Sequence, residues 1–200
     1  MFKPLSLALI LLATLVSAPI AFASEARQTV EILHAALLES MKGGAQLGFE
    51  GRREQLAPVL DEVFDFRTIS RLVTGRHWAG MSETQQGEFV GVFAQLSAST
   101  YAENFDEFGG QKFETRTSEK KKNAEVVRTV LLSPDGDEVS LNYLLARHGE
   151  EWRIVNVIAE GVSDISLKRT EYAAVIGQEG VGGLIAKLRA KVASYGSKAP

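Results

Sequence analysis

The stretch Trp-Arg-Ile-Val-Asn-Val-Ile-Ala at residues 152–159 constrains the fold of this chain more than any other. It has the length and β-branched content of a strand, yet it is apolar at both parities. Trp152, Ile154 and Ile158 oppose Val155 and Val157. An antiparallel strand with one wet face alternates apolar and polar side chains, so this pattern predicts a sheet at least partly covered on both faces. Three more strand patterns precede it, at residues 112–118, 124–133 and 138–147. The second repeats the two-sided pattern, with Val126 and Val130 against Val127 and Leu131. The third alternates cleanly, placing Val139, Leu141, Tyr143 and Leu145 on one face. Turns at Pro134-Asp135-Gly136 and His148-Gly149 make hairpins of the last three.

Helical periodicity brackets the strands. Before them, helices are expected at 26–41 (stopped by Gly43-Gly44), 52–63 (with Pro58 inside), 66–74 and 82–108. Ser82 and Gln85 form a capping box for the last of these, and Phe89, Phe93, Leu96, Thr100 and Tyr101 line one face of it. After the strands, helices are expected at 167–176 and 181–195. The resulting fold class is α+β: a four-stranded antiparallel sheet packed with several helices in a single domain. Pattern alone leaves two options for the apolar surplus, an ordinary core or a core that opens into a cavity.

The N-terminus sets the compartment. Lys3, an apolar run of about 13 residues from Leu5 to Ser17, and Ala21-Phe22-Ala23 read as a secretory signal peptide at 1–23. A membrane anchor would need about 20 apolar residues. The expected mature domain is 24–200, which leaves 177 of the 200 residues. Cleavage removes one lysine and no acid, taking the formal charge from −3 to −4. A mildly acidic chain without a long basic run is a poor match to nucleic acid, whose phosphates demand a basic footprint. The cluster Lys120-Lys121-Lys122 is expected at a solvated hairpin tip. With no cysteine there is neither a disulfide nor a lipidation site of the lipoprotein kind.

Signatures of catalysis are scarce. His34, His77 and His148 lie on separate elements without metal-ligand spacing, and no GxSxG elbow is present. The glycine-rich run at 177–183 follows a helix, lacks a phosphate-loop pattern and carries Glu179, so it reads as a helix–helix turn. Asp61, Glu62 and Asp65 read as acids at a helix N-terminus. No catalytic residue, metal or cofactor is expected.

Several motifs together resemble one family. Phe64-Asp65-Phe66 with Arg71, Gly75 and Trp78, the Gln85…Phe89…Phe93…Thr100-Tyr101-Ala102 spacing, and Asp137-Glu138-Val139-Ser140-Leu141 are similar to the MlaC (toluene-tolerance auxiliary) proteins. The match is best at Trp152-x-Ile154-x-Asn156-Val157, then Glu160-Gly161-Val162-Ser163, Arg169 and Tyr172, with Asn156 standing where the family often has Asp. The hopanoid-associated HpnM branch shares this resemblance. It implies a periplasmic carrier of phospholipid, or of another amphipathic lipid of the hopanoid kind. Its implied partners are an outer-membrane lipoprotein complex and an inner-membrane ABC transporter with an MCE subunit. It also implies a deep apolar pocket between sheet and helices.

Energetics favour such a pocket over a surface groove. Each methylene kept from water is worth roughly 0.8 kcal/mol, so two long acyl chains represent on the order of 25 kcal/mol. Only deep enclosure offsets that. The expected lining is Phe93, Leu96 and Tyr101 on the long helix, Val130, Leu141, Tyr143, Ile154 and Val157 on the sheet, and Val162 at the turn. The rival readings are an isomerase-like enzyme with a hydrophobic pocket and a ligand-free scaffold subunit. The enzyme would need Asp65, Glu160 or Asp164 to act as its acid, and none of them falls within a strand face.

Overall fold

Ser24 caps the first helix, its hydroxyl accepting the Arg27 N–H, in the computed structural model, which describes residues 24–196. The expected signal peptide at 1–23 and its cleavage site lie outside the described residues.

The first helix, α1 (Glu25–Val63), is broken at Gly44 (φ 36°) and Gly48 (φ 62°). Gly43-Gly44 therefore bends the chain and does not stop the helix as expected, because helical residues follow up to the second break at Gly48 and again beyond it, and no loop runs to Arg52. Arg52 pins the bend. Its buried guanidinium donates through Nε to the Ala102 carbonyl and through Nη1 to the Gly44 carbonyl, both at 2.9 Å.

Asp65 caps α2 (Phe66–Thr74), accepting the Thr68 N–H at 2.8 Å, and a 3-10 turn follows at Gly75–Gly80. The capping box of Ser82 and Gln85 starts α3 (Glu83–Asn104). This helix stops short of the expected residue 108. Phe105 leaves the helical path to stack on Tyr101 and approach Phe113, on the first strand.

The strands β1 (Lys112–Lys121), β2 (Ala124–Leu132), β3 (Glu138–His148) and β4 (Glu151–Ala159) pair antiparallel in chain order. A fifth, β5 (Val162–Ser163), extends the sheet beyond the four expected. It forms because Glu160 (φ 49°) and Gly161 (φ 78°) make a two-residue turn that folds Val162 back opposite Ala159. Ser163 then caps α4 (Asp164–Ser194), so this helix begins before residue 167. The glycine-rich run is a bend at Gly180 (φ 70°) inside α4, which joins the two helices expected there.

The two-sided pattern of β4 has another explanation than two covered faces. A register shift lies between Leu144 and Leu145, so Ile154 pairs with Leu145 while Val157 pairs with Tyr143. Leu145 and Tyr143 sit two apart on β3 and share a face. The bulge therefore brings Ile154 and Val157, of opposite parity in sequence, to the same side. On β2, Val127 and Thr129 are buried on that inner face, whereas Val126 and Val130 point to the outer face and are half-buried. The core lies between the inner face and the helices, with Val30, Leu33, Leu37, Phe89, Val127, Leu145 and Ile154 at its centre.

Candidate functional site

The packing of helices on the inner face is incomplete at one end, where a cavity of about 360 Å³ remains. The face of α3 that carries Phe93, Leu96, Ser97, Thr100, Tyr101 and Asn104 forms one wall. Phe66 and Ile69 of α2, with Phe64 just before it, close one side. Leu141 and Tyr143 of β3 and residues 155–157 and 159 of β4 form the floor. Val162 of β5 and Asp164, Ile165, Leu167 and Lys168 of α4 surround the open end. Val162 is 50% exposed and Leu167 59% exposed, so the mouth has an apolar lip.

Most of the expected lining residues meet here: Phe93, Leu96, Tyr101, Leu141, Tyr143, Val157 and Val162. Two expected residues do not. Val130 lies on the opposite face of the sheet, because its partner is Ser140 and not an inward residue. Ile154 faces inward but is fully buried in the core, where its backbone bridges to Phe64 and its carbonyl accepts the Asp65 N–H. The lining also includes residues outside the expected set: Phe64, Phe66, Ile69, Phe105, Val155, Ala159, Ile165 and Leu167, and the polar Ser97, Thr100, Asn104, Asn156, Asp164 and Lys168.

The mouth is built by the turn and the α4 N-terminus. Asn156 holds both: its Oδ1 accepts from the Ser163 hydroxyl (3.2 Å) and the Ile165 N–H (3.4 Å). A carboxylate would also perform these acceptor duties, but not the donation of Asn156 Nδ2 to the Ser163 hydroxyl at 3.1 Å. Glu160 is bound by its backbone and by its side chain, which accepts the Ser140 N–H. The left-handed turn has a measurable consequence. A Cβ at Gly161 would meet nothing within 4 Å, so Gly161→Ala tests backbone conformation alone. The expected loss is about 1–2 kcal/mol of stability in urea unfolding, with Gly136→Ala, an exposed hairpin turn remote from the mouth, as a comparison.

The interior is neutral. Its ionisable side chains are Tyr101, Tyr143, Asp164 and Lys168. Lys168 Nζ pairs with Asp164 Oδ1 at 2.9 Å at the mouth. Burial, and then the nearby Asp164 charge, push the Tyr101 hydroxyl up. Burial and Tyr101 do the same to Tyr143, so both phenols stay protonated. Behind Tyr143, His34 Nε2 lies 3.1 Å from its hydroxyl, and the His34 ring stacks on Phe113 at 3.9 Å. Burial lowers the His34 pKa from 6.5 to about 4, so this imidazole is uncharged at neutral pH. An apolar chamber with uncharged hydroxyls and one ion pair at its entrance suits an amphiphile, with tail inside and head at the rim. Among the described residues no group of three or more His, Asp or Glu is arranged to hold a metal ion. Among the same residues no helix is long and apolar enough to cross a membrane.

Comparison with known proteins places this architecture. The sequence family described as MlaC protein matches residues 31–190. The chain belongs to the MlaC family. A solved structure of a phospholipid-binding protein from Ralstonia solanacearum, in complex with a phospholipid, has the same fold. The two superpose with a TM-score of 0.74 at 23% sequence identity, covering 86% of this chain and 99% of that one. In this MlaC-family chain the Phe-Asp-Phe motif acquires a physical role. Asp65 caps α2, faces His148 Nδ1 at 3.2 Å and fixes its backbone to β4, which sets the two phenylalanines into the pocket wall.

Proposed function

We propose that the protein is a soluble periplasmic lipid carrier that takes phospholipid into this pocket. It would pass the lipid between an outer-membrane lipoprotein complex and an inner-membrane ABC transporter with an MCE subunit, without chemical change. The observation that carries the reading is the apolar chamber between α2, α3, α4 and the sheet, open at a lip of Val162 and Leu167. Membership of the MlaC family and the fold shared with a phospholipid-bound protein support it. Enclosure offsets the hydration cost of the acyl chains, and the exposed lip allows transfer without the chains crossing open water. Energy for directed movement comes from the transporter.

The test is to purify the mature protein from periplasm, extract it with organic solvent and identify the released lipid by mass spectrometry. Stoichiometric phospholipid is expected. A polycyclic hopanoid in its place would move the protein to the hopanoid-associated branch. Absence of any stoichiometric lipid, together with no uptake from labelled vesicles, would sink the carrier reading.

A further inference from the structure

Glu125 of β2 is only 4% exposed, on the inner face of the sheet beside the start of α1. Its hydrogen-bond partners among the described residues are two hydroxyls: Ser24 donates at 2.5 Å, and Ser118 of β1 donates as well. Among the same residues no lysine, arginine or histidine forms an ion pair with it. Lys120, opposite it in the β1–β2 register, is exposed. A buried carboxylate is costly without a cation or a full set of hydrogen bonds. We propose that Glu125 is the binding site for the α-ammonium of Ser24, the group that signal-peptide cleavage after Ala23 creates, so that processing itself completes the docking of α1. The proposal rests on the periplasmic part of the carrier reading and adds to it a structural role for the cleavage.

Ser24 brings its nitrogen within reach. Its hydroxyl is held in place, since Oγ also accepts the Arg27 N–H as the cap of α1. Within one serine the nitrogen and Oγ are about 3–4 Å apart, so this nitrogen lies within about 6 Å of the Glu125 carboxylate. At that separation a carboxylate stabilises an ammonium. Both hydroxyls meet Oε1, which leaves Oε2 to accept the new donor.

An ammonium at this position needs an acid, because it sits at the positive pole of the α1 dipole. Glu25, the acid of the first turn, is exposed and turned towards Arg147 at 3.6 Å. That leaves Glu125. In the uncleaved chain the Ser24 nitrogen is an uncharged amide, and no ion pair forms. The head of α1 matters to the pocket because the helix backs it. Thr29 donates to the Trp152 carbonyl at 3.0 Å, and His34 meets the hydroxyl of Tyr143, on the cavity floor, at 3.1 Å. An ion pair at Ser24 holds this helix against the sheet.

A double-mutant cycle provides the test. Chains beginning at Ser24 and at Ala21 are prepared with and without Glu125→Gln, and each is unfolded in urea at neutral pH. Glutamine keeps an oxygen to accept from Ser24 and Ser118 but carries no charge. The unsubstituted chain beginning at Ser24 is expected to have a folded-to-unfolded ratio at least about tenfold above that of the chain beginning at Ala21, the effect of one hydrogen bond to a charged group. The two Glu125→Gln chains are expected to lack this gap. Equal stability of the unsubstituted chains, or an undiminished gap in Glu125→Gln, would overturn the site. Where Glu125→Gln does not fold, the unsubstituted chain decides alone. The 13Cβ shift of Ser24, followed with pH, is expected to report an amine pKa at least about one unit above the ordinary value of about 8, and an ordinary value would overturn the pairing. The mass of the protein purified from periplasm is expected to be that of residues 24–200. A start elsewhere in the periplasmic protein would overturn the proposal and leave the carrier reading to its own lipid test. Retention of residues 1–23 would overturn the proposal and the periplasmic reading together.

Discussion

Replacing Val157 with glutamate is expected to empty the pocket of lipid while leaving the protein folded. Val157 lies on the cavity floor opposite Tyr143 in the β3–β4 register, and it is only half-buried. Without ligand, a longer side chain there can direct its carboxylate towards the cavity space and keep water around it. With an acyl chain in place that water must leave, and the lining offers no cation close by on the strands. An unpaired carboxylate pressed against hydrocarbon costs several kcal/mol, which corresponds to a loss of lipid affinity of at least about a hundredfold. Lipid recovered with the purified variant should fall to background, with an unchanged circular dichroism spectrum. Two companions isolate the cause. Val157→Ala keeps the surface apolar and should retain lipid. Val130→Glu adds the same charge to the opposite face of the same sheet and should also retain it. Full lipid content in Val157→Glu would remove this residue from the binding surface.

The contrast between Val157 and Val130 also marks how far the sequence could be read. The α3 wall was legible because helical spacing is a property of the sequence itself. Phe93, Leu96, Thr100 and Tyr101 repeat at intervals that fall on one face. Ser97 and Asn104 complete that stripe and were missed only because they are polar. Strand parity was less informative, since it holds only while the register is regular. The bulge at Leu144 and Leu145 is a matter of backbone pairing between strands, and no residue of β4 announces it. It made β4 look two-sided and hid the shared face of Ile154 and Val157. On β2 the register is regular and parity does place Val130 opposite Val127, but valines on a half-exposed outer face resemble valines in a core. The α4 side of the mouth escaped because Ser163 caps the helix directly after β5, which brings Asp164 and Ile165 to the rim from outside the expected helix, beside Lys168 at its start.

Acid should weaken the protein over a defined pH interval, and His34 should account for it. The His34 ring is 5% exposed, clamped between Phe113 and the Tyr143 hydroxyl, and burial lowers its pKa to about 4 from an ordinary 6.5. Between those two values the unfolded chain binds a proton that the folded chain does not. The contribution is therefore fully present above pH 6.5, declines as pH falls towards 4, and is exhausted below it. A displacement of this size corresponds to about 3 kcal/mol, a large fraction of the stability of a domain this small. Asp65 does not confuse the interval. Burial works to raise its pKa, but the Thr68 and His148 hydrogen bonds outweigh it and hold the carboxyl below its ordinary 3.8. Its contribution is thus present above 3.8 and is lost only as pH falls through the lower folded value. Tyr101, Tyr143 and Tyr172 are all displaced upward, away from the acid range. Urea unfolding at a series of pH values should show stability falling by about 3 kcal/mol from pH 6.5 to 4. His34→Gln keeps an amide to bond the Tyr143 hydroxyl but cannot titrate, so it should flatten the dependence in that interval. An equal slope in His34→Gln would assign the acid sensitivity to other groups. Because Tyr143 is both the partner of His34 and part of the cavity floor, the same titration should loosen the floor from behind. Lipid release should therefore begin at a higher pH than global unfolding, and should do so only in the protein that retains His34.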